Sequence, residues 1–97
     1  MSTFIYSLSW TEQGIRAVKD SPKRAKTARA MAKKMGVDIK QVFMTLGEFD
    51  LLLVTEAADT DVAAKFALAL SSLGNVRTRT ARAWTEAEMQ KLISELP

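Results

Sequence analysis

Residues 42–55 read VFMTL, then Gly47-Glu48-Phe49-Asp50, then LLLVT. Two short apolar runs around a glycine-containing turn are the signal for a β-hairpin. Both runs are apolar on both faces. Val42, Met44 and Leu46 point one way and Phe43 and Thr45 the other, while Leu51 and Leu53 oppose Leu52 and Val54. A strand pair with one wetted face alternates with polar residues, so this hairpin predicts a sheet covered on each side. A chain of 97 residues holds one core. The second cover is therefore expected from another subunit.

The elements around the hairpin follow from periodicity. Phe4, Tyr6, Leu8 and Trp10 alternate with Ile5, Ser7 and Ser9, a strand with one strongly apolar face. Thr11 suits the cap of a short helix. Ser21 suits a second cap, with Pro22 at the first helical position. Ala25, Ala28, Ala32 and Met35 form a narrow stripe along that helix, and Gly36 ends it. A further helix opens near Asp59 to Asp61, buries Ala63, Phe66, Ala67 and Leu70, and stops at Gly74. Asn75 to Trp84 alternates as the last strand. Thr85-Glu86-Ala87-Glu88 then predicts a capping box for a C-terminal helix with Met89, Leu92, Ile93 and Leu96 on its apolar side. The order β-α-β-β-α-β with a C-terminal helix is the ferredoxin-like α+β sandwich, one domain over residues 1–97. Both long helices lie on one sheet face in that plan, and the bare face is expected to meet a second copy.

Composition excludes several chemistries. There is no cysteine and no histidine, so disulfides, the usual metal sites and Ser-His or Cys-His nucleophiles are not expected. No metal or cofactor is expected. No apolar run approaches the roughly 20 residues of a membrane span. The opening MSTFIYSLSW lacks a basic segment and a small-residue cleavage site, so cytoplasmic residence is the expectation. Nine basic residues face two acidic ones between Arg16 and Lys40. A nucleic-acid footprint is one reading, but a solvated helix face is the preferred one, so nucleic acid is not an expected partner.

Five ordered blocks resemble the GYD domain family. They are Trp10-Thr11-Glu12-Gln13-Gly14-Ile15 after the opening strand, Lys19-Asp20-Ser21-Pro22-Lys23-Arg24, the Gly47-Glu48-Phe49-Asp50 turn, Ala63-Ala64-Lys65-Phe66 and Gly74-Asn75-Val76-Arg77-Thr78. The resemblance covers nearly the whole chain. It implies a ferredoxin-like plan of the dimeric α+β barrel type, and no mechanism. Phe49 stands where the family commonly has tyrosine, so any role of a phenol hydroxyl there is absent.

Six residues are candidates for binding. Asp50 opens an apolar strand, where its carboxylate needs partners, either to fix the turn through an Asx-type hydrogen bond or to bind a cation or act as a base. Arg77 and Arg79 share one face of the last strand and Arg82 takes the other. Each seeks a carboxylate, with Asp50, Glu48 and Glu56 as internal partners, or else an anionic ligand. Tyr6 and Trp10 carry polar atoms on an apolar face and could line a pocket or simply pack. Gly47 is read as permitting positive φ. These residues support an oligomer, most simply a dimer, that binds a small organic or anionic ligand in a sheet-lined cavity. One alternative is a cofactor-independent enzyme of the dimeric-barrel type using Tyr6, Asp50 and Arg79. The other is a nucleic-acid module built on the Lys/Arg helix.

Overall fold

The structure, a computed structural model describing residues 1–97, contains four strands and four helices. They run β1 (Ser2–Trp10), α1 (Glu12–Arg16), a short 3-10 turn (Val18–Asp20), α2 (Ser21–Lys34), β2 (Val37–Met44), β3 (Leu51–Ala57), α3 (Thr60–Ser72), β4 (Val76–Ala83) and α4 (Glu86–Ser94). The strands form one sheet in the order β2-β3-β1-β4, each neighbour antiparallel. This is the ferredoxin-like arrangement expected from the order of elements.

The alternation of β1 decides which face is covered. Phe4, Tyr6 and Leu8 are buried together with Leu53, Thr55 and Ala57 of β3. Phe66 and Leu70 of α3 and Ala32 of α2 close the core over them. Tyr6 is fully enclosed and meets Phe66 edge to face, with ring centroids 5.4 Å apart. The opposite face carries Ile5, Leu52, Val54, Phe43 and Ala81, and Phe43 is 46% exposed. One side of the sheet is thus the core and the other is open.

Caps explain most helix ends. The Thr11 hydroxyl accepts from the Gly14 N–H, and Asp59 accepts from the Val62 N–H. At α4 both halves of the Thr85–Glu88 box are made. The Thr85 backbone N–H beside Glu88 holds that carboxyl below its ordinary value. The start of α2 differs from expectation. Ser21 is already helical, Asp20 occupies the cap position without a side-chain cap bond, and the Ser21 hydroxyl instead accepts from Arg24. The 3-10 turn feeds directly into α2, so no extended cap residue is needed there.

The hairpin also departs in two places. A bulge between Ile39 and Gln41 inserts Lys40, which lets Ile39 and Val42 both face the helices. Lys40 pairs with Asp38 at 2.7 Å and Glu56 at 3.6 Å, and the hydrogen bond to Asp38 raises its ammonium above the ordinary value. Leu46 does not join the strand face: β2 ends at Met44, and Leu46 lies in the turn, 96% exposed. Gly47 sits there at φ +135°, the positive angle expected of it.

α1 is held against the start of β4 at backbone distance. The Thr11 N–H donates to the Asn75 carbonyl at 3.1 Å, and the Thr11 hydroxyl donates to the Gly74 carbonyl. A Cβ on Gly14 would stand 1.9 Å from the Asn75 oxygen. Gly14→Ala is therefore expected to cost about 1–3 kcal/mol through a forced backbone shift. Urea unfolding reads this as a lower midpoint, and an unchanged midpoint would show that the approach does not constrain the fold.

Candidate ligand groove

α2 is buried at one end and lifted at the other. Ala32 is 1% exposed and Ala28 half-buried, whereas Ala25, on the same stripe, is exposed. Small side chains bring the C-terminal half close to the sheet, and the N-terminal half stands off it. The gap is a groove of about 660 Å³. Its floor is the end of the sheet where Trp10, Met44 and Leu51 lie, and Val18 and Leu73 reach its sides. The bulge at Lys40 contributes, because it turns Val42 and Met44 toward this space.

Two polar anchors hold the groove's frame. The Arg24 guanidinium donates to the Gly14 carbonyl at 3.1 Å, the Ala17 carbonyl at 3.2 Å and the Ser21 hydroxyl at 3.1 Å. It ties α1 and the 3-10 turn to the first turn of α2. Asp50 holds the floor: its Oδ2 accepts from the Trp10 N–H at 2.9 Å. The Asp50 N–H donates to the Leu8 carbonyl, and its own carbonyl accepts from Thr45, each at 2.8 Å. This carboxylate secures β1 to the hairpin across 40 residues of sequence, rather than through a local Asx turn.

The six candidate residues do not converge. Trp10 lines the groove and Asp50 lies behind it, bound to backbone. Tyr6 is enclosed under α3, where its hydroxyl donates to the Ala63 carbonyl at 2.9 Å. Arg77 and Arg79 are exposed on the open sheet face, in register with Ser9 and Ser7. Arg82 lies on the helix-covered side toward the other end of β4, its guanidinium 4.4 Å from the Trp84 ring and 5.9 Å from Phe4. Ion pairs in this chain join Arg16 to Glu12 and Lys40 to Asp38 and Glu56. None of the three β4 arginines pairs with Asp50, Glu48 or Glu56, the carboxylates expected for them.

Sequence reasoning did not single out Lys23, Arg29, Met44 and Leu51 as groove residues. The two cations read as solvated surface and are exposed, and what the sequence does not give is that they border the groove. The stripe carries alanine at 25, 28 and 32 alike, so the sequence does not separate the closely packed end of α2 from the lifted one.

With the geometry in place, comparison with known proteins gives the family. The profile of the GYD domain matches residues 4–93. The chain belongs to the GYD domain family. A protein of Thermus thermophilus, described as glutamine synthetase and cystathionine beta-lyase binding protein, is 31% identical over 90 residues. The match covers 92% of this chain and 95% of that one. Among solved structures, an ACT domain protein from Streptococcus pneumoniae superposes with a TM-score of 0.50 at 16% identity. It covers 100% of this chain and 97% of the other, and shares the α+β sheet plan. No helix of this GYD domain is long and apolar enough to cross a membrane.

Burial pushes the Tyr6 phenol up to about 12, with the Thr55 hydroxyl pulling weakly the other way. The folded state therefore keeps its proton where an unfolded chain, titrating near 10, loses it. Stability from this group is full below pH 10 and falls as pH rises toward 12. Tyr6 is the sole tyrosine, so tyrosinate absorbance reads it alone. Ionisation near 12 that drops toward 10 in denaturant is the expected result.

Proposed function

We propose that this GYD domain is a self-associating binding module, acting as one unit over residues 1–97, that holds a small organic ligand in the α2–sheet groove. The observation that carries the reading is the groove. Its volume of about 660 Å³ falls within the roughly 300–1,000 Å³ of small-molecule sites, and most of its lining is apolar. Binding is preferred to catalysis because the Tyr6 hydroxyl is enclosed on a backbone carbonyl, Asp50 holds the Trp10 N–H, and Arg79 lies on the other side of the sheet. Three groups that never meet cannot share a substrate.

Self-association is supported by the open face, where Ile5, Leu52, Val54 and Phe43 leave a contiguous apolar surface on the sheet. A second copy applied face to face would cover it with its own equivalent surface. Sedimentation combined with native mass spectrometry tests both parts. The expected species is a dimer at micromolar concentration with small-molecule mass retained. Val54→Glu is expected to weaken association by at least about 100-fold by placing a charge in the contact. A monomer throughout would sink the self-association.

α4 favours a second role beside the first. None of its residues is buried, and Met89, Leu92 and Ile93, with Leu96 just past its end, are about half or more exposed. An amphipathic helix with its apolar face free is a common way to engage a protein groove. The Thermus thermophilus relative is named for binding two enzymes, which supports extending protein binding to this chain. Purified glutamine synthetase from this chain's own source is expected to be retained by the immobilised domain. Leu92→Asp with Ile93→Asp should abolish retention without changing the circular dichroism. Retention unaffected by the pair would remove α4 from that contact.

A further inference from the structure

Resting on the reading of the groove as a ligand site, we propose that its ligand is an amphipathic organic anion: an apolar body carrying one carboxylate, sulfonate or phosphate head. The charges around the groove are one-sided. Lys23, Arg24 and Arg29 line it, and no aspartate or glutamate does. Arg24 is committed to the Gly14 and Ala17 carbonyls and the Ser21 hydroxyl. Lys23 and Arg29 take part in none of the chain's ion pairs. Asp50, the acidic group beneath the floor, has a carboxylate oxygen on the Trp10 N–H and is not part of the lining. Along α2 the groove is thus bordered by two cations outside any ion pair, each placed to attract a negative head, and no carboxylate is in its lining.

The floor selects the rest of the molecule. Trp10, Met44 and Leu51 offer apolar area, with Val18 at the side. Met44 is 70% exposed, so a bound apolar body would remove much of its surface from water. An inorganic anion would leave this floor wet, and a neutral hydrocarbon would leave the two cations unanswered. A cationic ligand would meet repulsion from α2. The groove is enclosed by α2, the 3-10 turn, the end of α3 and one end of the sheet, which suits a compact molecule rather than a long polyanion.

Two dyes of similar shape and different charge test the assignment. Anilinonaphthalene sulfonate is anionic, and phenylnaphthylamine is its neutral counterpart. The intact protein is expected to bind the sulfonate at one site per chain and more tightly than the neutral dye, with octanoate displacing it. Lys23→Gln together with Arg29→Gln should lower sulfonate affinity by about tenfold and leave phenylnaphthylamine unchanged. Ala25→Trp, at an exposed position on the groove wall, should block both dyes while the circular dichroism stays native. Equal affinity for the two dyes, or a sulfonate affinity unmoved by the double Gln variant, overturns the anionic head and leaves the groove as a ligand site. Absence of binding by either dye, or binding that survives Ala25→Trp, overturns the groove reading along with it.

Discussion

Burial of one face of β1 beneath α3 is the constraint on which the remaining structure depends. Tyr6 sits at the centre of it, its ring against Phe66 and its hydroxyl on the Ala63 carbonyl. Because β1 is an inner strand, neighboured by β3 and β4, its alternation sets the facing of the whole sheet. Once Phe4, Tyr6 and Leu8 point to the helices, Ile5 and Ser7 point away, and Leu52, Val54 and Arg79 follow by register. A phenol in so dry a place would be costly without a partner, and the helix backbone supplies one.

The groove arises from the same packing by default. α3 brings Phe66 and Leu70 fully into the core, while α2 offers mainly alanine and methionine on its inner side. Alanine allows close approach only where the sheet rises to meet it, as at Ala32. Toward Ser21 the chain is anchored by Arg24 to α1 instead of by side chains to the sheet. An apolar floor is therefore left under a basic helix. The position of α1 is fixed in turn by Gly14 against Asn75, so groove geometry is tied to the sheet through backbone contacts rather than flexible side chains.

Much of the fold was legible because it rests on local chemistry. The β1 alternation, the Thr11 cap and the Thr85–Glu88 box each need only a few neighbouring residues, and each forms as read. The candidate site was less legible, because it depends on relative placement. Periodicity identifies Lys23 and Arg29 as outward-facing but cannot tell whether outward means bulk water or the rim of a gap. Trp10 could be nominated from its strand position, and it does line the groove. Tyr6 shares that strand face two turns of the pleat earlier and is sealed in, a difference set by α3 and invisible in the alternation. Strand alternation separates Arg77 and Arg79 from Arg82, and the register agrees, but the alternation says nothing of what each guanidinium meets, which for Arg82 is the Trp84 ring. The single-residue bulge at Lys40 had no signal in the hydrophobic pattern, and Ser21 lost its cap role to a 3-10 turn that merges with the helix.

The bulge has a consequence for how such a chain avoids open-ended growth. β2 and β4 are the edges of the sheet, each with a free row of backbone donors and acceptors. On β2 the extra residue breaks the regular spacing of that row and places a lysine in it. On β4 the row is flanked by Arg77 and Arg79, exposed and of like charge to any identical neighbour. Strand-to-strand addition, which would propagate into a ribbon, is discouraged at both ends by irregularity on one side and repulsion on the other. What is left unhindered is the broad open surface of the sheet, where no free row of backbone groups is on offer.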